Sequence, residues 1–287
     1  MKHANLITTD MTNENKLSFW EHLDALRTAL LRIVIVTTLF AIVAFCLKEQ
    51  LFAAILAPQQ ENFVTYRLLR TIGSWFAQPT HAPISVPLIN TGLAGQFVIH
   101  MKAALAAGVL CASPYILYQL YRFVSPALYT HERRYAVRVV GGGYAMFLTG
   151  VVCCYFLIFP LTFRFLGTYQ VSDQVTNLIS LQSYVSTLMV MSLAMGLVFE
   201  IPLLSWFFAK LGFLTAAFMR RYRKHAIILI LILAAIITPT SDLFTLSLVA
   251  FPMWLLYEIS IGIVKRTATT DRSATSKSAP QSDAVNP

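Results

Sequence analysis

The sequence predicts an all-α integral membrane protein with six transmembrane helices. Of its 287 residues, 57% are hydrophobic and 12% are charged, whereas soluble domains carry about 25% charged residues. The apolar runs lack the strict alternation of barrel strands, and lipid offers no water to unpaired backbone groups, which favours helices. Six runs lie near the roughly 20 residues that cross a hydrocarbon core about 30 Å thick. They are residues 29–47, 94–124, 136–159, 184–209, 226–238 and 243–264.

The distribution of basic residues predicts the orientation of these helices. Lys and Arg are concentrated in the N-terminal arm, the second and fourth loops and the tail, whereas the first and third loops carry few of them. By the positive-inside rule, both termini are expected in the cytoplasm and the first loop outside it. The net charge of +9 is then a topology signal, and nucleic acid is not expected as a partner.

Three segments are expected along the chain. Residues 1–17 form a polar cytoplasmic arm, residues 18–266 the six-helix membrane domain, and residues 267–287 a disordered cytoplasmic tail rich in Ser, Thr and Ala. In the long first loop, residues 48–93, the apolar part at 63–76 is expected to form a short amphipathic helix on the outer rim of the bundle.

Neither metal nor enzyme chemistry is indicated. The four cysteines lie in apolar runs without metal-ligand spacing, which is typical of packing in a membrane. The sequence that begins His131-Glu132 lacks the second His of the zinc protease motif. We therefore expect no metal, no cofactor and no catalytic residues.

The fifth run is short for a membrane span. Its 13 residues, 226–238, give a helix of roughly 20 Å, and Asp242 after the following turn must reach the outer interface. Local thinning of the bilayer is expected there. The alternative is that residues 223–225 extend the helix and that tilt supplies the missing length. Asp242, like Tyr155 in the third run, is assigned a structural role.

A carboxylate lies inside the fourth apolar run, in the sequence GLVFEIPLL. Pro202 has no N–H, so the carbonyl of Val198 loses its helical partner and the helix is expected to kink. A charge facing lipid at mid-membrane costs about 2.5–3.5 kcal/mol, so Glu200 is expected to face a groove with a little water or to be neutral through burial. Such a residue also fits the ion site of a small-solute transporter, and a scaffold role with Ser or Thr partners is a third reading.

The second loop carries another candidate carboxylate. In SPYILYQLYRFVSPALYTHERRYAVR, aromatic residues lie at the water boundary, and Pro114 and Pro126 are expected to break helices. Glu132 lies among basic residues there. It can accept the planar donor fork of a bound arginine, or it can form an ordinary surface ion pair with Arg133 or Arg134.

Five stretches resemble, in order, signatures of TatC, the receptor subunit of the twin-arginine protein translocase: FWEHLDALR, SPYILYQLYRFVSPALYTHERR, GLVFEIP, ITPTSD and FPMWLLYEISI. The resemblance extends from about residue 19 to residue 264. It implies a concave, glove-shaped six-helix bundle in the bacterial cytoplasmic (inner) membrane. It also implies binding of twin-arginine signal peptides on folded cargo, TatA-like and TatB-like single-span partners, and a homo-oligomer as an option.

The resemblance implies roles for individual residues. The family's signal-peptide carboxylate in the second loop falls on Glu132, and its glutamate in the fourth helix falls on Glu200, as a polar group for partner docking. The family's second N-terminal glutamate is Ala25 here. Asp24 lies one residue earlier and Glu21 one turn earlier on the same helix face, so either is a candidate arginine acceptor.

Overall fold

The computed structural model describes residues 19–75, 87–124, 136–170, 172, 174, 177–238 and 242–277. Eleven α-helices lie within these ranges: α1 Phe19–Cys46, α2 Lys48–Leu56, α3 Val64–Trp75, α4 Gly95–Val124, α5 Ala136–Cys153, α6 Phe159–Thr168, α7 Leu181–Val198, α8 Ile201–Lys210, α9 Ala216–Arg221, α10 Arg223–Ile237 and α11 Leu243–Lys277. A 3-10 helix, Ala57–Gln59, and a π-helix, Cys154–Ile158, complete the helical elements in the described part of the chain. Strands β1, Leu88–Ile89, and β2, Ile179–Ser180, pair in parallel.

Five stretches of helix are long and apolar enough to cross a membrane: Leu23–Cys46, Gly95–Phe123, Val139–Thr168, Leu181–Lys210 and Leu243–Thr267. They correspond to five of the six predicted runs. Within the bundle, α1 packs on α4, α5 on α7, and α8 on α11. The polypeptide is therefore a multi-span α-helical membrane protein.

The fifth predicted run is helical but short. Helix α10 begins at Arg223, as the alternative proposed, and has 15 residues, or roughly 22 Å of helix. Tilt cannot supply the missing length, because tilting a helix reduces the thickness that it crosses. The helix remains shorter than a core of about 30 Å, and local thinning of the bilayer stays a prediction.

The last helix extends beyond its predicted end. Helix α11 continues to Lys277, so residues 267–277, which we assigned to a disordered tail, are helical. The physical reason is that no Gly or Pro lies between Ile263 and Ala279, so nothing in the backbone interrupts a helix that has already started. Residues 278–287 lie outside the described residues.

The first loop folds back onto the bundle. The predicted amphipathic helix is confirmed as α3, and its residues Thr65 and Tyr66 are buried. Tyr66 donates a hydrogen bond to the carbonyl of Pro160, and Thr65 donates one to the carbonyl of Phe156. Helix α3 is therefore anchored on protein at the predicted external end.

The prediction that Pro114 breaks a helix is wrong. Helix α4 continues from Gly95 to Val124 with Pro114 inside it. The proline removes the helical donor to the carbonyl of Leu110, and the Ser113 hydroxyl donates to that carbonyl instead, at 2.6 Å. Pro126 lies outside the described residues.

Candidate functional site

The fourth span is interrupted where Pro202 predicts a kink. Helix α7 ends at Val198, two residues form a turn, and α8 starts at Ile201 with Pro202 in its first turn. The N–H of Glu200 donates to the carbonyl of Leu197, three residues back, at 3.1 Å. Proline is tolerated in a first helical turn because the N–H there has no helical partner. The span therefore consists of two helices joined at Glu200.

The Glu200 side chain is buried at this junction. Its exposed fraction is 7%, so of the two predicted environments the structure has the buried one. Atom Oε1 has no hydrogen-bond partner among the described residues. The scaffold reading, with Ser or Thr holding this carboxylate, therefore lacks support at Oε1.

A glycine on the neighbouring helix provides the space for this carboxylate. A Cβ atom added at Gly143 of α5 would lie 3.3 Å from Oε2 of Glu200 and 2.9 Å from a methyl group of Leu203. Next to it, Cβ atoms added at Gly141 and Gly142 would meet nothing within 4 Å, and both glycines are exposed. The GGG sequence thus places a tight contact beside an open surface.

Two more glycines, Gly150 of α5 and Gly196 of α7, bring these helices into close contact next to the junction. A Cβ atom at Gly150 would lie 2.5 Å from the carbonyl oxygen of Met195 and 2.8 Å from the Phe199 ring, and one at Gly196 would lie 2.7 Å from the Phe147 ring. Small residues of this kind let membrane helices approach backbone to backbone. The turn that carries Glu200 is therefore held in a rigid, closely packed environment.

The structure describes the arginine-acceptor candidates only in part. Asp24 is exposed on α1. The helix includes Glu21, but its side chain, like Glu132 as a whole, lies outside the described residues. Asp24 and Glu200 lie on α1 and at the α7–α8 junction, elements that do not pack closely on each other.

Tyr155 and Asp242 make the contacts of structural residues. The Tyr155 hydroxyl donates to the carbonyl of Ala54 at 2.6 Å, linking the third span to α2. A carboxylate oxygen of Asp242 accepts the N–H of Thr245 at 2.7 Å. Asp242 is therefore the N-cap of α11, a role that the ITPTSD sequence permits but that we did not predict.

Sequence reasoning also missed contacts around the third span. Its π-helix ends just before Pro160, which removes the helical donor to the carbonyl of Phe156, the acceptor for Thr65. Arg164 lies 5.8 Å from the centre of the Tyr66 ring. Burial raises the pKa of the Tyr66 phenol to about 12, against an opposing effect of the Arg164 charge. Pro160 was the available signal for this irregular segment.

A salt bridge connects α10 and α11 at the predicted cytoplasmic end of the bundle. Arg223, at the start of α10, pairs with Glu258 of α11 at 2.7 Å, and the Tyr257 hydroxyl donates to the carbonyl of Met219 at 2.9 Å. Glu258 lies in the FPMWLLYEISI sequence, where we assigned it no role. Both side chains of the pair are partly exposed, which limits its contribution to stability.

The fold and the junction define a class: multi-span membrane proteins with a broken helix and a buried carboxylate within the span. Comparison with known proteins gives the family. The profile described as "Sec-independent protein translocase protein (TatC)" matches residues 21–252, and the chain belongs to this family.

Relatives of similar length support the assignment. A TatC protein of Blattabacterium sp. subsp. Periplaneta americana is 33% identical over 259 residues, covering 88% of this chain and 97% of its own. One from Deinococcus radiodurans is 34% identical, covering 84% and 83%. A crystal structure of the "Twin Arginine Translocase Receptor- TatC" superposes with a TM-score of 0.70 at 31% identity and covers 86% of this chain and 100% of its own. The predicted helical membrane fold is confirmed.

Proposed function

We propose that this chain is the receptor subunit of a twin-arginine translocase in a bacterial cytoplasmic membrane, with both termini in the cytoplasm. In this role it binds twin-arginine signal peptides of folded cargo and assembles with TatA-like and TatB-like single-span partners. The observation that carries the proposal is the match in fold and sequence to the twin-arginine receptor structure over 86% of the chain.

The proposed arginine acceptor is Glu132, because a carboxylate accepts the two parallel N–H groups of a guanidinium with charge assistance. The test is photocrosslinking of a twin-arginine signal peptide to the full chain in membranes. Glu132→Ala is expected to abolish the crosslink while the protein remains inserted. A twin-lysine peptide should crosslink less to the wild type, since lysine lacks the planar fork.

Glu61→Ala is the matched control, since Glu61 is a carboxylate on the predicted opposite side of the membrane. Glu21→Ala and Asp24→Ala, made separately, identify the carboxylate that acts in place of the family glutamate at Ala25. An unchanged crosslink in Glu132→Ala would return Glu132 to a surface ion pair with Arg133 or Arg134.

Glu200 is proposed as the polar docking point for a partner helix. Its Oε1 atom is buried without a partner among the described residues, so docking requires the side chain to turn toward the surface, and the open surface at Gly141 and Gly142 gives a helix room to approach α5. An interhelical hydrogen bond in a membrane contributes about 0.6–1 kcal/mol. That contribution stabilises a contact that forms and dissociates during transport.

Glu200→Ala is therefore expected to lower transport and to change partner crosslinking while signal-peptide crosslinking persists. Glu200→Gln keeps a hydrogen-bonding group and should retain much of the activity. Leu204→Ala, an exposed position on α8, serves as the control.

The buried carboxylate is also compatible with a second candidate function, that of a proton-coupled or ion-coupled transporter of small solutes. If Glu200→Gln is as damaging as Glu200→Ala and solute uptake into proteoliposomes depends on Glu200, the transporter is favoured over the receptor.

A further inference from the structure

Two adjoining cavities lie between α1, α2 and α4 at the predicted external end, away from Glu200. The first, of about 530 Å³, is a groove between α1 and α4 whose walls include Ala41, Ile42, Met101, Lys102 and Leu105. The second, of about 390 Å³, is lined by Lys48, Phe52, Gln96, Phe97, His100 and Leu181. Phe97 lines both cavities, so they adjoin at this side chain, and together they are called the depression, with an apolar first part and a more polar second part.

Each cavity has one cationic side chain without an acidic partner in the described part of the chain, Lys102 in the first and Lys48 in the second. Lys48 and Lys102 are both exposed, and neither has an ion-pair partner among the described residues. Glu49, the neighbouring acid, lines neither cavity. The amide of Gln96 adds a neutral donor. The site therefore favours an anion.

Lys102 is unusual because it lies within a membrane span. It is the eighth residue of α4, about 10 Å along the helix from its first residue, and an ammonium group in hydrocarbon is unfavourable. Side chains of a helix lean toward its N-terminus, which for α4 is the end where Lys48 lies. A long lysine stem that extends along the groove carries its charge toward the same interface.

Aromatic contacts and close helix packing fix the walls of the depression. The His100 ring stacks on Phe45 with a centroid distance of 4.0 Å and an interplanar angle of 9°, and it meets the edge of Phe52 at 5.7 Å. Deeper in the groove, a Cβ atom at Gly108 would lie 2.8 Å from the backbone of α1. The depression therefore ends where α1 and α4 touch, and it opens toward the interface and the surrounding lipid.

The first span has little other protein around it. Within its most apolar window, 6% of the residues are buried, against 39–44% in the other four spans. Helix α1 packs mainly on α4, so a molecule in the groove would add a second contact along the same seam.

We propose that the α1–α4 groove, with Lys102 in its wall and with Lys48 and Gln96 in the adjoining cavity, is a binding site for one anionic phospholipid of the adjacent leaflet. The lipid phosphate lies in the second cavity, where it binds the Lys48 ammonium group and accepts a hydrogen bond from Gln96, and Lys102 in the groove wall adds a second positive charge. One acyl chain occupies the apolar groove against Ile42, Met101 and Leu105. The proposal does not rest on the proposed receptor function.

Native mass spectrometry of the full chain in detergent tests whether the site selects an anionic lipid headgroup. Phosphatidylglycerol and phosphatidylcholine with identical acyl chains are the probes, and one phosphatidylglycerol should be retained at collision energies that remove phosphatidylcholine. A lysine near a membrane surface contributes enough attraction for about a fivefold change in affinity. Lys48→Gln and Lys102→Gln should each weaken phosphatidylglycerol by about that factor and leave phosphatidylcholine unchanged.

The matched control is the double variant Arg220→Gln/Lys224→Gln, which removes two exposed basic residues at the opposite end of the bundle. Equal loss of phosphatidylglycerol from the control and from Lys48→Gln/Lys102→Gln would overturn the proposal, and so would equal retention of the two lipids by the wild type. Leu105→Trp, at an exposed groove position, should reduce retention by filling the acyl-chain part.

A photocrosslinking amino acid at position 101 tests the occupant in native membranes. A lipid adduct whose yield falls in Lys48→Gln/Lys102→Gln supports the site. A polypeptide adduct in place of lipid would overturn the proposal and assign the groove to a protein helix.

Discussion

Two prolines within membrane spans have opposite consequences for their helices. At Pro114, α4 continues without interruption. At Pro202, the fourth span divides into α7 and α8, with Glu200 in the turn between them. Both prolines lack an N–H, and both remove the helical donor to a carbonyl four residues back. The difference must therefore come from their surroundings.

The serine before Pro114 provides one explanation. The Ser113 hydroxyl donates to the carbonyl of Leu110, so the freed acceptor is satisfied inside the helix. At Pro202 the preceding residues are Glu200 and Ile201, neither of which has a hydroxyl donor. Pro160 shows a third outcome, because the freed carbonyl of Phe156 accepts from Thr65 of another helix. Pro252 lies inside α11 although the residues before it, Ala250 and Phe251, have no hydroxyl, so a replacement donor is one way to keep a helix continuous and not a requirement.

The largest expected effect comes from disturbing the packing that holds the turn at Glu200. Gly150→Ala places a Cβ atom 2.5 Å from the backbone oxygen of Met195, and backbone cannot move aside as a flexible side chain can. Overpacking of this kind costs about 1–3 kcal/mol. We expect a lower midpoint of thermal unfolding in detergent and loss of partner crosslinking at Glu200.

Gly142→Ala is the control for that variant. It carries the same gain in helix propensity, about 0.8–1.0 kcal/mol, but its Cβ atom meets nothing within 4 Å. Its unfolding midpoint should stay level or rise. Equal destabilisation by the two alanines would show that α5 and α7 are less closely packed than their contacts indicate.

A smaller effect is expected from restoring the missing donor at the break. Pro202→Ala supplies an N–H to the carbonyl of Val198, which is worth about 1 kcal/mol, and allows α7 and α8 to join. Amide hydrogen exchange in residues 196–206 should slow by about fivefold. Transport should fall, because the turn that positions Glu200 is lost.

Pro114→Ala is the matched variant in a helix that is already continuous. Exchange across α4 should change little, and transport should be retained. If Pro202→Ala leaves exchange unchanged, the break is maintained by packing against Gly143 and Gly150, and the missing N–H is secondary.

The comparison also explains which features the sequence predicts. Apolar runs predicted the long spans, and the apolar part of the first loop predicted α3, because these patterns depend only on residues close in sequence. The hydrogen bond from Ser113 to the carbonyl of Leu110 depends on the rotamer of one hydroxyl. The burial of Glu200 depended on Gly143, a residue 57 positions earlier in the chain. No local pattern in the sequence specifies such a contact between two helices.

The smallest effect is expected at Ser113, and it tests the comparison most directly. Ser113→Ala leaves the carbonyl of Leu110 without a donor, which in a membrane protein costs about 0.6 kcal/mol on average. Ser247→Ala is the matched control, since the Ser247 hydroxyl donates to the carbonyl of Phe244 in the same three-residue pattern. In that helix Leu248 still supplies its backbone N–H, so the serine should matter less.

A double-mutant cycle then separates the serine from the proline. In a Pro114→Ala background, residue 114 has its own N–H for the carbonyl of Leu110, and Ser113→Ala should have almost no effect on the unfolding midpoint. The coupling between the two changes measures how far the hydroxyl replaces the missing amide. Full cost of Ser113→Ala in both backgrounds would mean that Ser113 stabilises α4 through packing, and the continuity of the helix at Pro114 would then need another cause.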